Sequence, residues 1–245
     1  SMVLFARDAS SGVLLWKRTV AGISGRGLAA DGTRVFTVLE SQGPCVALSA
    51  ATGEVVETYK GSEGGREIRH IDGVLLVKTT GKLMAFEAAG GHALWSRPLA
   101  DKGDVFLAAE GRAILHSQKS GSLTALDLKS GAEVWNRTDV AWLKGAALST
   151  CGEGAVFFID SNVGTVKFGA MAYAVSWKDG ADLWNRELLN GNIYFPAQTS
   201  ALRAGLLYIR AAGGYQIFDP LTGQDKGKSP PFGGGSGGGK CTIET

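Results

Sequence analysis

A short phrase returns six times along the 245 residues, and its spacing limits what such a chain can fold into. The phrase is a small polar turn ending in Gly, followed a few residues later by Trp. It reads Asp8-Ala9-Ser10-Ser11-Gly12 with Trp16, and Glu87-Ala88-Ala89-Gly90-Gly91 with Trp95. It returns as Asp127-Leu128-Lys129-Ser130-Gly131 with Trp135, and as Ser176-Trp177-Lys178-Asp179-Gly180 with Trp184. Two copies lack the Trp: Ser49-Ala50-Ala51-Thr52-Gly53 and Asp219-Pro220-Leu221-Thr222-Gly223.

The turn glycines Gly12, Gly53, Gly91, Gly131, Gly180 and Gly223 are separated by 41, 38, 40, 49 and 43 residues. A period near forty is the mark of a repeat architecture. A second series interleaves with the first. Gly32, Gly73, Gly111, Gly154 and Gly205 each precede an apolar run such as Val35-Phe36-Thr37-Val38 or Val74-Leu75-Leu76-Val77. These follow the first-series glycines by 20, 20, 20, 23 and 25 residues.

One repeat, residues 22–60, shows what the period builds. Residues 22–30 read as a short inner strand, and Asp31-Gly32 is a hairpin signal because Gly tolerates positive φ. Residues 34–39 are rich in β-branched and aromatic types that suit a buried strand. Ser41-Gln42-Gly43-Pro44 breaks the run. Cys45-Val46-Ala47-Leu48 is a third strand, and residues 54–59 alternate as a fourth. Four short antiparallel strands in about forty residues is a propeller blade. No segment sustains helical spacing over a dozen residues, which excludes a solenoid of helix pairs. Glycine supplies 36 of 245 residues, about twice average usage, as many tight turns require. A parallel β-helix is the remaining rival, but its repeats are shorter and lack paired hairpin turns. The expected fold class is an all-β propeller of four-stranded antiparallel blades, with five full blades and a partial first one.

A net charge of +2 gives no footprint for nucleic acid, and no apolar run is long enough to span a bilayer. Ser1-Met2 has the look of a cloning scar, so the native N-terminus is expected to be missing. Cys45, Cys151 and Cys241 are odd in number and widely spaced, which supports neither a disulfide framework nor a zinc site. Residues 3–20 hold only the last two strands of a blade. The expected organisation is a propeller over residues 3–232, then a Gly-rich linker and short tail over residues 233–245. An incomplete ring leaves an unpaired strand edge. Three outcomes are expected from it: a strand donated by residues 241–245, completion by the rest of a larger parent protein, or edge-to-edge pairing of two copies.

The repeat resembles the PQQ-like, or quinoprotein-type, propeller family, in which Ala-x-Asp-x-x-x-Gly-x-x-x-Trp spans the last two strands of a blade. Ala125 to Trp135 is the nearest copy, and the resemblance covers residues 3 to about 229. It implies that Trp16, Trp95, Trp135 and Trp184 pack between neighbouring blades, with the turns receiving ring and N–H. It also implies weaker joints where Glu57 and Gly227 stand in the Trp position. More loosely, residues 47–54 and 238–245 resemble large bacterial proteins that join such a propeller to a methyltransferase domain. No methyltransferase motif lies in this chain. Propellers of this type often work outside the cytoplasm, so a periplasmic or otherwise extracytoplasmic location is expected.

Quinoprotein dehydrogenases add a vicinal Cys pair, a Trp platform and a Ca²⁺ cage, and none of these is recognisable here. Asp160 and Asn162 could offer oxygen ligands, but Asp-x-Asn at a strand end is more simply a turn. No PQQ, calcium or other cofactor is expected. Residues 234–240 spell Gly-x-x-x-x-Gly-Lys, yet Cys241 stands where a phosphate loop needs Ser or Thr, and Pro230-Pro231 precedes it. A linker is the simpler reading. His70, His92 and His116 are scattered singly, and no Ser sits in a nucleophile elbow. Asn136-Arg137-Thr138 matches a glycosylation sequon but sits at a strand position that Asn185-Arg186-Glu187 repeats. Lys17-Arg18, Arg97, Arg137 and Arg186 follow the Trp position as a basic row, which reads either as a solvated outer strand or as a surface for an acidic partner. The expected function is a non-catalytic scaffold or protein-interaction module, for which the outer-membrane assembly propellers are the family precedent. The alternative is a small-molecule or quinone-binding, enzyme-associated propeller completed by absent parts of a parent protein.

Overall fold

Two kinds of left-handed turn set the strand lengths. The computed structural model describes residues 2–20, 26–161, 170–188, 200–211 and 214–229. In the first kind, the two-residue loops Asp72-Gly73, Glu110-Gly111, Glu153-Gly154 and Ala204-Gly205 have φ between 44° and 77° at both positions. Positive φ at both central residues is type I′ geometry, whose twist matches that of the flanking strands. In the second kind, Gly12, Gly53, Gly91, Gly131, Gly180 and Gly223 have φ of 65–74°. In five of these six turns the Gly N–H donates to the carbonyl four residues back, as Gly12 does to Asp8 at 2.8 Å. The strand register shifts by one residue beside all six turns, which is the bulge that such a glycine accommodates.

The chain divides into two compact units, Ser1–Lys144 and Gly145–Thr245. The first opens with a two-stranded hairpin, β1 (Met2–Arg7) and β2 (Leu14–Val20). Three four-stranded antiparallel sheets follow. The first holds β3 (Leu28–Ala30), β4 (Arg34–Val38), β5 (Cys45–Ser49) and β6 (Val55–Tyr59). The second holds β7 (Glu67–Ile71), β8 (Val74–Lys78), β9 (Lys82–Glu87) and β10 (Ala93–Pro98). The third holds β11 (Val105–Ala109), β12 (Arg112–Ser117), β13 (Ser122–Asp127) and β14 (Glu133–Arg137), followed by a 3-10 turn at Ala141–Lys144. The second unit has two such sheets. One is β15 (Ala147–Gly152), β16 (Ala155–Asp160), β17 (Ala170–Ser176) and β18 (Asp182–Leu188). The other is β19 (Ser200–Arg203), β20 (Leu206–Ala211), β21 (Gly214–Phe218) and β22 (Asp225–Lys228).

Every sheet runs in sequence order, so each is a meander. This is the all-β propeller class, with five four-stranded blades and a two-stranded first one among the described residues. The inner strand expected over residues 22–30 is β3, only three residues long, and residues 21–25 lie outside the described set.

The middle strands are buried on both faces, which explains their nearly unbroken apolar runs. Cys45 and Ala47 of β5 pack toward Leu75, Val77, Met84 and Phe86 in the next sheet. Val46 and Leu48, on the opposite face, meet Trp16, Leu4 and Ala6 of the first hairpin. In the second unit Phe157, Ala172, Ala174 and Trp184 pack with Leu207, Ile209 and Phe218. Within each unit the sheets are therefore joined face to face by apolar side chains, and burying one Phe or Leu in such a layer contributes about 1.5–3 kcal/mol.

Candidate functional site

The recurring feature with a built geometry is the joint between one sheet's outer strand and the next sheet's turn. Trp16 on β2 donates its indole N–H to the Ala50 carbonyl at 2.8 Å. Trp95 on β10 donates to Leu128 O at 2.9 Å, and Trp184 on β18 to Pro220 O at 2.9 Å. In all three the acceptor lies three residues before the turn glycine. The ring then covers that glycine. A Cβ placed on Gly53 would lie 2.6 Å from Trp16, on Gly131 2.5 Å from Trp95, and on Gly223 2.6 Å from Trp184. The turn glycine thus has two reasons to lack a side chain, its positive φ and the indole above it. Trp135 pairs with Ala125 across β13 and β14 and is half-buried.

Glu57 occupies the Trp position of β6, and its carboxylate lies 3.0 Å from where a Gly91 Cβ would sit. The corresponding carbonyl, Ala88 O, is not left open. It accepts the Tyr59 hydroxyl at 2.6 Å and a short bond from Arg34 Nη1. Tyr59 is fully buried between Phe36 and Phe86, with ring centroids 6.1 and 5.6 Å away. Burial raises its hydroxyl pKa above the ordinary value. Arg34 is fixed by Asp31, whose Oδ2 accepts from Nε at 2.9 Å and from Nη2 at 2.6 Å. Burial alone would raise the Asp31 pKa, but the Arg34 side chain and the N–H groups of Thr33 and Arg34 outweigh it and hold the pKa well below the carboxylate range. Sequence reasoning missed this pair. The signal was an aromatic residue two places after the missing Trp, and an Asp-x-x-Arg turn beside it. Gly227, the other substitute, lies opposite Ile217 with φ of 115°.

Carboxylates elsewhere close turns. Asp8, Asp127 and Asp219 accept backbone N–H groups two and three residues ahead, as Asp127 does from Lys129 at 3.2 Å and Ser130 at 2.8 Å. The Ser130 N–H and hydroxyl hold the Asp127 pKa below its usual value. Such Asx turns favour the first residue of the phrase being Asp or Ser.

The three histidines stand apart. His70 stacks on Phe36 at 5.2 Å, and His92 meets Glu87 at 3.1 Å on the surface. His116 is buried with Nε2 3.0 Å from Leu143 O, and burial lowers its pKa. Asp160 is buried against Gly145, while Asn162 lies outside the described residues, as do Cys241 and residues 230–245. Among the described residues no group of three or more His, Cys, Asp or Glu could hold a metal ion. Cys45 and Cys151 belong to different units. A shallow hollow of about 390 Å³ holds Asp72, Glu87, Leu94 and Lys129, all at the surface or half-buried. Of the basic row, Arg97 reaches Glu133 at 3.1 Å, Arg137 lies over Trp142 at 5.9 Å and Arg186 donates to Gly223 O at 3.1 Å. Lys17 is exposed on β2. Asn136 of the sequon is on β14 and accepts from the Thr124 hydroxyl at 3.2 Å.

Four-stranded meanders with glycine turns of this geometry define a propeller of the PQQ-like repeat class. The chain belongs to the family described as "Outer membrane protein assembly factor BamB", whose sequence profile matches residues 2–226. Its fold is similar to that of BamB from Moraxella catarrhalis, at 19% identity and a TM-score of 0.61, over 93% of this chain and 67% of that one. It is also similar to the computationally designed Ika8 protein, at 14% identity and a TM-score of 0.63, over 87% and 64% of the two chains. For the designed Ika4 protein the values are 12% and 0.50, over 66% and 96%. The chain thus spans about two thirds of the length of the first two, and at these identities the likeness is one of fold. No curated protein matches the sequence. No helix among the described residues is long and apolar enough to cross a membrane.

Proposed function

We propose that the chain is a non-catalytic propeller scaffold that works by binding other proteins. The observation that supports this most is where its chemically capable groups are engaged. The Asp8, Asp31, Asp127 and Asp219 carboxylates close turns, and the Arg34, Arg97 and Arg186 guanidinium groups tie one sheet to the next. Trp16, Trp95, Trp135 and Trp184, with the turn glycines, act in this reading as blade joints that hold broad faces rigid for a partner. The family description, an outer-membrane assembly factor, supports a role in assembling other proteins and a place outside the cytoplasm. The domain reading remains a propeller over residues 3–232 followed by a linker.

The test is capture from a native extract of the source cell, with Lys17→Glu as the control for the exposed basic position on β2. A partner retained by the wild-type chain and identified independently by reciprocal capture supports the scaffold. Turnover of a defined small molecule, with no partner captured, contradicts it. Cell fractionation with an antibody against the chain tests the location.

A further inference from the structure

The apolar layer between the second and third sheets ends in polar side chains at the end of β8 and β12. Val74 and Leu76 of β8 pack with Phe106 of β11 and Leu115 of β12, and those last two lie opposite each other. Side chains two residues apart on a strand share a face. Lys78, two residues beyond Leu76, therefore faces the third sheet. Asp104 and Ser117, one step beyond the Val105–His116 pair, lie opposite each other and face the second sheet. A bond from Lys78 Nζ to the Asp104 carbonyl closes this end of the layer.

Asp104 is 1% exposed and Ser117 is 4% exposed. Asp104 Oδ2 accepts the Asp101 N–H at 3.1 Å. Asp104 Oδ1 and Ser117 Oγ are buried and have no hydrogen-bond partner among the described residues. Buried polar atoms in folded proteins are bonded to other protein groups or to ordered water, because leaving one unpaired is costly. Lys78 is half-buried, and its ammonium has three protons, of which the Asp104 carbonyl takes one.

We infer that the second and third sheets enclose a binding site for a single water molecule, held by Asp104 Oδ1, Ser117 Oγ and Lys78 Nζ. The chemistry of the three atoms selects this ligand. The water accepts from the Lys78 ammonium and from the Ser117 hydroxyl, and it donates to Asp104 Oδ1. About three hydrogen bonds is the usual complement of a buried water. A calcium or magnesium ion would need about six oxygen ligands, and the ammonium seated on the Asp104 carbonyl repels it. The Asp104 carboxylate repels an anion in the same way. The water ties β8 to β11 and β12 beside the apolar layer, as Trp95 ties β10 to Leu128 in the same pair of sheets.

High-resolution crystallography of the 245-residue chain tests the site. One water should lie about 2.7–3.2 Å from all three atoms. A Ser117 hydroxyl bonded directly to Asp104 Oδ1 with no water between them overturns the inference, and so does an ion ringed by about six oxygens. Urea denaturation supplies the test in solution, with melting profiles confirming that each variant is folded. Ser117 Oγ has no direct bond to Lys78, so coupling between the two reports the bridge. Lys78→Met and Ser117→Ala should each raise the unfolding constant about tenfold. Lys78→Met/Ser117→Ala should raise it at least about threefold less than the product of the two, because either change alone already releases the water. Effects that multiply to within about twofold overturn the inference.

Discussion

Replacing Gly131 by Ala separates the two demands made on a turn glycine, because the same blade contains a control. Gly111 has φ of 72° and open space around its missing Cβ. Gly131 has φ of 70°, but its Cβ would lie 2.5 Å from the Trp95 ring. In both variants Ala must adopt a left-handed conformation, at about 1 kcal/mol. Gly111→Ala should cost little more than that. In Gly131→Ala the indole must also move, because no real Cβ contact is that short. Overpacking of this kind costs about 1–3 kcal/mol. The bond from Trp95 to Leu128 O, 2.9 Å long, is strained or lost with it, at about 0.5–1.5 kcal/mol. The full penalty is about 2.5–5.5 kcal/mol, so the two variants should differ by about 1.5–4.5 kcal/mol. Urea denaturation followed by Trp fluorescence and by far-UV circular dichroism measures both. Equal destabilisation within about 0.5 kcal/mol would show that the indole does not constrain the turn, and the joint would lose its physical basis.

Other consequences follow from the same geometry. Tyr59→Phe removes one of two donors to Ala88 O and should cost about 1 kcal/mol, with an Arg34→Ala/Tyr59→Phe cycle showing coupling because the two share an acceptor. No coupling in the cycle would mean that the carbonyl is not their common partner. The Asp127 pKa is lowered in the fold from a reference of 3.8 by Ser130. Its contribution to stability is therefore present above that pH and fades as pH falls through the lower folded value. Carboxyl NMR should place its midpoint below 3.8, and a midpoint at or above 3.8 contradicts the turn. Burial pushes the Cys45 thiol pKa up to about 12. At pH 8 Cys45 should resist a thiol reagent until the chain unfolds, and rapid labelling in the folded state would show that β5 is not buried.

Much of this architecture is legible in the sequence because it rests on backbone demands. A glycine before an apolar run marks a type I′ turn, and Gly73, Gly111, Gly154 and Gly205 all have the positive φ that this requires. The Asp that opens the phrase is equally local, since Asp8, Asp127 and Asp219 bond to N–H groups two or three residues ahead. The Tyr59–Arg34 joint was not legible. Spacing shows that Glu57 replaces a Trp, but not that a hydroxyl from the same strand and a guanidinium from β4 reach a carbonyl in another sheet. The partners of the basic row were not legible for a related reason. Arg97 and Arg186 lie at least partly at the surface, as outer-strand residues do, but each also reaches an acceptor in the next sheet. Long side chains choose partners in three dimensions, which one-dimensional spacing does not encode. The inner strand over residues 22–30 was legible, but not the bounds of β3 within it, because its three residues carry no periodicity of their own.

The central claim is that the recurring Gly-to-Trp phrase is a joint between sheets. Hydrogen exchange of the six indole N–H groups tests it most directly. Trp16, Trp95 and Trp184 donate to carbonyls of the next sheet's turn, so their indole protons should exchange as slowly as the amides of the middle strands β5, β9 and β21. Exchange of those three at the rate of a free indole, while the middle-strand amides stay protected, would contradict the account.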